Sequence, residues 1–150
     1  MRFIVIIIYF FSFLANCHEY KNNNIFVDHP ILKVSSEEAK VGAGYFRVVN
    51  DSDQSIYLKK IVSDICQKLE IHEVIRKDNM YKMRPINKDL MILSGKELIF
   101  KAKSYHAMFF NFNKTIKNND MIKASLHFRK GIIIPIEFKV IMASSQHSHH

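Results

Sequence analysis

The sequence predicts an all-β domain, a sandwich or barrel of short strands, and three observations predict it. Apolar and polar residues alternate through several windows. The most regular is 121–129 (MIKASLHFR), where Ile122, Ala124, Leu126 and Phe128 face one way and Lys123, Ser125, His127 and Arg129 the other. The windows are separated by turn chemistry at Asn50-Asp51-Ser52-Asp53, Asp78-Asn79, Ser94-Gly95, Asn118-Asn119-Asp120 and Lys130-Gly131. Seven or eight short strands at this spacing are what a sandwich or barrel requires.

Taken in order, the strands are expected at 45–49 (YFRVV), 55–62 (SIYLKKIV) and 68–76 (KLEIHEVIR). In the third, Leu69, Ile71 and Ile75 share one face and His72 and Val74 the other. A short strand at 80–84 (MYKMR) ends at Pro85, and strands at 97–101 (ELIFK) and 105–112 (YHAMFFNF) follow. After 121–129 comes 132–141 (IIIPIEFKVI), with Ile132, Ile134, Ile136, Phe138 and Val140 inward. Pro135 falls on the outward parity, which suits an edge strand. The stretch 36–43 (SEEAKVGA) reads as a helical turn or a loop.

The amino terminus stands apart from this domain. Arg2 supplies a positive start, Phe3 to Leu14 is apolar but for one Ser, and Ala15-Asn16-Cys17 follows. This is the layout of a secretory signal peptide over 1–17, too short for a comfortable membrane span. Leu14-Ala15-Asn16-Cys17 also has the form of a lipobox, so a lipoprotein anchored at Cys17 is the alternative to cleavage before His18. The expected organisation is a signal peptide, a β-sandwich domain over 18–143, and a His-rich, disordered tail over 144–150. Export implies a periplasmic or secreted protein. With the signal gone only Cys66 remains, so no internal disulfide supports the fold, and Cys66 reads as structural. The net charge of +8 comes from scattered lysines, which argues against a nucleic-acid partner and leaves an acidic protein or anionic lipid as the natural counterpart. The four glycines are dispersed and form no phosphate loop, and no H-E-x-x-H or nucleophile motif is present, so the chain is not read as an enzyme.

The chemistry is concentrated in four residues. In His106-Ala107-Met108 the imidazole and thioether lie two apart on a strand and so project from one face. His72 lies on the face of its strand opposite Leu69 and Ile71, and Met83 follows just before Pro85. Two imidazoles and two thioethers form a soft, uncharged set that suits Cu(I) better than zinc, magnesium or calcium. A Met on a strand is ordinarily gap-filling core and a His among apolar residues ordinarily structural, so the spacing of the four carries the argument.

That spacing, His72-x10-Met83-x22-His106-x-Met108, resembles the signature of the periplasmic copper chaperones called PCu(A)C. The resemblance extends to Gly44-Tyr45-Phe46-Arg47-Val48-Val49-Asn50, Glu70-Ile71-His72-Glu73, Met80-Tyr81-Lys82-Met83-Arg84-Pro85 and Tyr105-His106-Ala107-Met108, and runs from about Val41 to Val140. Two departures stand out. The last long gap is one residue longer than usual, and Ala102-Lys103-Ser104 replaces a Pro-Gly-Gly-like turn. The resemblance implies a cupredoxin-like Greek-key β-sandwich that holds one Cu(I) per mature protein on His72, Met83, His106 and Met108. It also implies a role in assembling the binuclear copper centre of cytochrome c oxidase, with oxidase subunit II or a Sco-type thiol protein as partner. A monomer is expected, touching the membrane only through a partner or a lipid anchor.

His147, His149 and His150 are candidate auxiliary ligands for Cu(II) or zinc, against an inert tail. His18 and His29 have no fixed geometry, His127 reads as solvated, and Met80 is a hydrophobic neighbour or a spare thioether. Two alternatives belong to other classes. One is a metal-free secreted sandwich used for adhesion or partner binding. The other is an electron-transfer cupredoxin, which needs a Cys thiolate beside two His and finds none in the His-x-Met strand.

Overall fold

The computed structural model describes residues 19–142, so the signal-peptide segment, Cys17, His18 and the His-rich tail lie outside the described residues. Within them the chain forms β1 (Glu19–Asn22), β2 (Ile25–Val34), β3 (Val41–Asn50), β4 (Ile56–Val62), β5 (Cys66–Lys77), β6 (Met80–Pro85), β7 (Leu90–Ile92), β8 (Lys96–Phe100), β9 (His106–Phe112), β10 (Met121–Phe128) and β11 (Ile133–Met142). A single 3-10 turn, Arg129–Gly131, links the last two strands. No helix among these residues is long and apolar enough to cross a membrane.

The hydrogen-bonded path runs β6-β5-β9-β3-β2-β11-β10-β4-β7, with β1 on β2 and β8 on β3. Every pairing is antiparallel except β2 with β11. That parallel pair joins the first and last long strands. The path folds over on itself. Phe109 of β9 and Phe138 of β11 lie three steps apart along it, yet their rings meet edge to face at 5.4 Å. Phe46 completes the cluster, stacked on Phe100 at 4.1 Å and edge-on to Phe138 at 5.7 Å. Each such ring contributes roughly 1.5–3 kcal/mol by leaving water. Gly44 makes room for them: a Cβ there would lie 3.0 Å from both Phe109 and Phe138. Since Gly44 pairs with Ala107, this close approach also seats β9, the strand of His106 and Met108.

The alternation at the carboxyl end holds residue by residue, with Ile122, Ala124, Leu126, Phe128, Ile134, Ile136, Phe138 and Val140 all buried. Pro135 needs a correction, because β11 is an interior strand of the path. It pairs with β2 only from Lys139 to Met142, so Pro135 lies on a stretch whose second side has no strand ladder. There the Tyr20 hydroxyl donates to the Glu137 carbonyl at 3.5 Å and the Asn22 amide to that of Ile133 at 3.3 Å.

Three strands go beyond the sequence expectation. β2 is broken by Asp28-His29-Pro30, where the register shifts and His29 adopts φ 49°. Asp28 is buried at this bulge against Arg47, whose Nε donates to it at 2.9 Å. β1 and β7 are too short to show a period. The 36–43 stretch divides into a turn and the start of β3, not a helical segment.

Candidate metal centre

Antiparallel register decides which side chains meet, because residues directly opposite share a face. On one side β5 pairs with β9, placing His72 opposite His106 and Glu70 opposite Met108. On the other it pairs with β6, placing His72 opposite Pro85 and Val74 opposite Met83. All four candidate ligands therefore lie on one face of β6-β5-β9. The opposite face carries Ile71, Ala107 and Phe109 into the core. The histidines form the central row, and Met83 and Met108 stand diagonally from His72 on either side. Such diagonal positions, roughly 7–8 Å apart, are within reach of long side chains.

Local chemistry holds this register. Asp78 and Asn79 both have positive φ, 53° and 59°, which makes the β5–β6 connection a two-residue type I′ hairpin. Pro85 ends β6, and the next residue returns to β5 through Ile86 N–H to the Ile71 carbonyl at 2.8 Å. The segment before β9 is pinned by Lys101 N–H to the Tyr105 carbonyl at 2.8 Å.

His106 is only 4% exposed. Its Nδ1 is 3.0 Å from the Ser104 carbonyl. A carbonyl can only accept, so the proton of the neutral ring sits on Nδ1 and Nε2 carries a lone pair. That Nε2 is buried and has no hydrogen-bond partner. An orphaned acceptor of this kind costs about 1–3 kcal/mol. A carbonyl holding one ring nitrogen while the other is left bare is also how metal-ligating histidines are oriented.

His72 is half-buried, its side chain 13% exposed, with its ring centroid 5.8 Å from that of His106. A metal about 2 Å from a nitrogen of each ring tolerates separations of roughly 5–6 Å. The His72 Nε2 lies 3.0 Å from a Glu70 oxygen, so in the neutral ring Nε2 donates and Nδ1 is left free. The second Glu70 oxygen meets Lys68 Nζ at 3.0 Å. These contacts, first that with His72 and then that with Lys68, hold the Glu70 carboxyl below its usual range. Phe110 walls the site, its ring 5.9 Å from His72 and capped by Lys68 Nζ at 5.4 Å. Met108 is half-buried, and Met83 is 65% exposed.

Glu70, Lys68 and Phe110 went unread as site residues. The signal was present: Lys68-x-Glu70-x-His72 and His106-x-Met108-x-Phe110 each repeat at the two-residue period of a strand. Met80 pairs with Lys77 on the opposite parity, off the ligand face, so it is no spare thioether. Cys66 lies six residues from His72 along β5, about 20 Å at strand rise. It is buried, its thiol donates to the Lys68 carbonyl at 3.4 Å, and burial pushes its pKa up, which fits a structural residue and not a copper thiolate. His127 is not simply solvated: it is half-buried and 2.9 Å from the Ser125 hydroxyl, and desolvation, then Lys60 and Lys59, lower its pKa. His29 is exposed at the β2 bulge, and His147, His149 and His150 lie outside the described residues. Among the described residues no three His, Cys, Asp or Glu side chains cluster as for a metal site. None of the four lines the cavity of about 340 Å³ bounded by Ile25, Gln54, Tyr57 and Arg129.

A family model, that of LpqE-like lipoproteins, matches residues 25–140. No curated protein matches the sequence. Solved structures share the fold. The copper-bound PCuAC domain from PmoF2 superposes with a TM-score of 0.68 at 18% identity, over 84% of this chain and 99% of that one. The apo PCuAC domain from PmoF1 gives 0.69 at 15% identity, over 84% and 100%. The Cu(I) form of DR1885 from Deinococcus radiodurans gives 0.60 at 18%, over 75% and 74%.

Proposed function

The chain belongs to the LpqE-like lipoprotein family, the PCu(A)C kinship that its motifs implied, and from that premise we propose that it is a Cu(I) metallochaperone. One ion per protein is held by His106 Nε2, His72 Nδ1 and the thioether sulfurs of Met83 and Met108. The observation that carries this reading is the orphaned, buried Nε2 of His106 directly across the register from His72. Two neutral imidazoles and two thioethers add no negative charge, which favours a monovalent soft cation. The matched structures include domains named as copper-bound and as Cu(I)-bound, which supports copper as the cargo.

The finer reading is delivery outside the cytoplasm. The apolar start of the chain and the lipoprotein character of the family support export, with Cys17 as the anchor if the chain is lipidated. The cargo would pass to the binuclear copper centre of cytochrome c oxidase, directly or through a Sco-type thiol protein. The protein acts as a monomer and its tail histidines take up Cu(II) as an auxiliary store. The four-ligand assignment is tested by chelator competition. The double variant His72→Ala, Met83→Ala should lose Cu(I) to a chelator that the parent outcompetes, with unchanged folding. Equal retention by both proteins removes the assignment.

A further inference from the structure

Sheet edges are ordinarily blunted, because unpaired backbone groups invite another strand. The two ends of this sheet path differ. β7 is three residues long, and two of those are buried. β6 is six residues long and exposed throughout, and its six pairs with β5 run from Lys77–Met80 to His72–Pro85 without a bulge. In a two-residue type I′ hairpin the residues flanking the turn form a hydrogen-bonded pair. That pair is Lys77 and Met80, so alternation turns the backbone groups of Met80, Lys82 and Arg84 toward β5. Those of Tyr81 and Met83 face the open side. Among the described residues no strand pairs with β6 there. A candidate ligand, Met83, thus offers its own N–H and C=O at a free edge, beside an exposed Tyr81.

We propose that this β6 edge is the docking strip for the copper acceptor, and that the acceptor presents there an extended, acidic segment of its chain. The identity of the partner as a copper acceptor rests on the function proposed above. The charge of the strip selects the occupant. The hairpin carries Arg76, Lys77, Lys82 and Arg84 against Glu73 and Asp78, and Arg84 is held by Glu73 at 2.7 Å. Lys101 and Lys103 add to it from the loop before β9, with Lys103 Nζ lying 5.7 Å from the centre of the Tyr81 ring. A second copy paired edge to edge would set these cations against one another in a chain of net charge +8, which disfavours a homodimer. An anionic lipid surface would satisfy the cations but leave the Tyr81 and Met83 backbone groups unpaired. An acidic strand satisfies both, and it places the partner beside the most exposed of the four candidate ligands.

The probe is a soluble peptide of about ten residues alternating Glu and Val, a length that spans the edge strand. It is titrated into the 15N-labelled mature protein, with and without Cu(I). The amides of Tyr81 and Met83 should shift most. Tyr81→Pro removes one outward N–H without touching the β5 ladder, and should weaken the peptide at least about tenfold while Cu(I) affinity holds. The double variant Lys82→Glu, Lys103→Glu keeps the backbone and should weaken it as much by charge. The proposal is overturned if the peptide binds both variants as it binds the parent, if a Lys-Val peptide binds equally well, or if the acidic peptide does not bind. It is equally overturned if only vesicles of equal phosphatidylcholine and phosphatidylglycerol bind, or if the protein pairs with itself through β6. A chain that takes the peptide but no Cu(I) defeats the copper reading instead, and one that takes Cu(I) but not the peptide defeats only the docking strip.

Discussion

His106 is buried on β9, flanked by β5 and β3, whereas Met83 is 65% exposed on β6, which among the described residues has no neighbour beyond it. The first side chain is fixed: its Nδ1 is held by the Ser104 carbonyl and its Nε2 is buried without a partner. The second is restrained by little besides its own hairpin. A cargo site needs both properties. In the chaperone proposed above the rigid side would supply affinity through preorganisation, and the open side would give a partner a place to begin exchanging ligands.

Breaking the rigid side has the largest expected effect. His106→Leu should cost Cu(I) affinity about a hundredfold or more, beyond the usual cost of losing an outer-sphere contact. In the metal-free protein the same change removes an unpaired buried acceptor but also the Nδ1–H bond to Ser104, so the two effects offset and stability should change by no more than about 1 kcal/mol. Chelator competition and urea unfolding read the two quantities separately. Breaking the open side should do less. Met83→Ala is expected to lower affinity about tenfold and speed copper release, with stability changing by no more than about 0.5 kcal/mol.

Glu70→Gln sharpens the comparison between the two histidines. Ser104 fixes His106 through a backbone carbonyl, whereas Glu70 fixes His72 through a carboxylate. Gln can still accept the Nε2 proton but loses the charge, so affinity should fall by less than about tenfold. Nitrogen-detected NMR of the imidazoles should show His72 protonated at Nε2 in the parent and a mixture of tautomers in the variant.

The smallest effect lies away from the site. Burial lowers the His127 pKa below 6.5, so the folded form favours the neutral ring. As pH falls below 6.5 the unfolded chain takes up a proton that the folded chain refuses, and stability is lost until pH passes the folded pKa. His127→Gln should flatten that part of the pH profile of unfolding.

The strands that could be read in the sequence were those whose alternation was unbroken, such as β10 and β11. β2 stayed hidden because Asp28-His29-Pro30 reads as a turn, and only the ion pair of Asp28 with Arg47 shows why a strand continues through it. The face that carries the candidate ligands was legible to a similar degree. Parity alone put His106 and Met108 together and set His72 apart from Ile71. It could not give the register of β5 against β9, which pairs His72 with His106, nor how deeply His106 would sink. Met83 was the residue most dependent on family spacing. Its place on the candidate face comes from the structure, in the pairing of Met83 with Val74.

The most direct test of the central claim is X-ray absorption at the copper edge of the Cu(I)-loaded protein. A mixed shell of nitrogen and thioether sulfur, losing sulfur in Met83→Ala and nitrogen in His106→Leu, is the predicted result. A shell of nitrogen and oxygen alone, or one containing the short sulfur distance of a thiolate, would contradict the site described above.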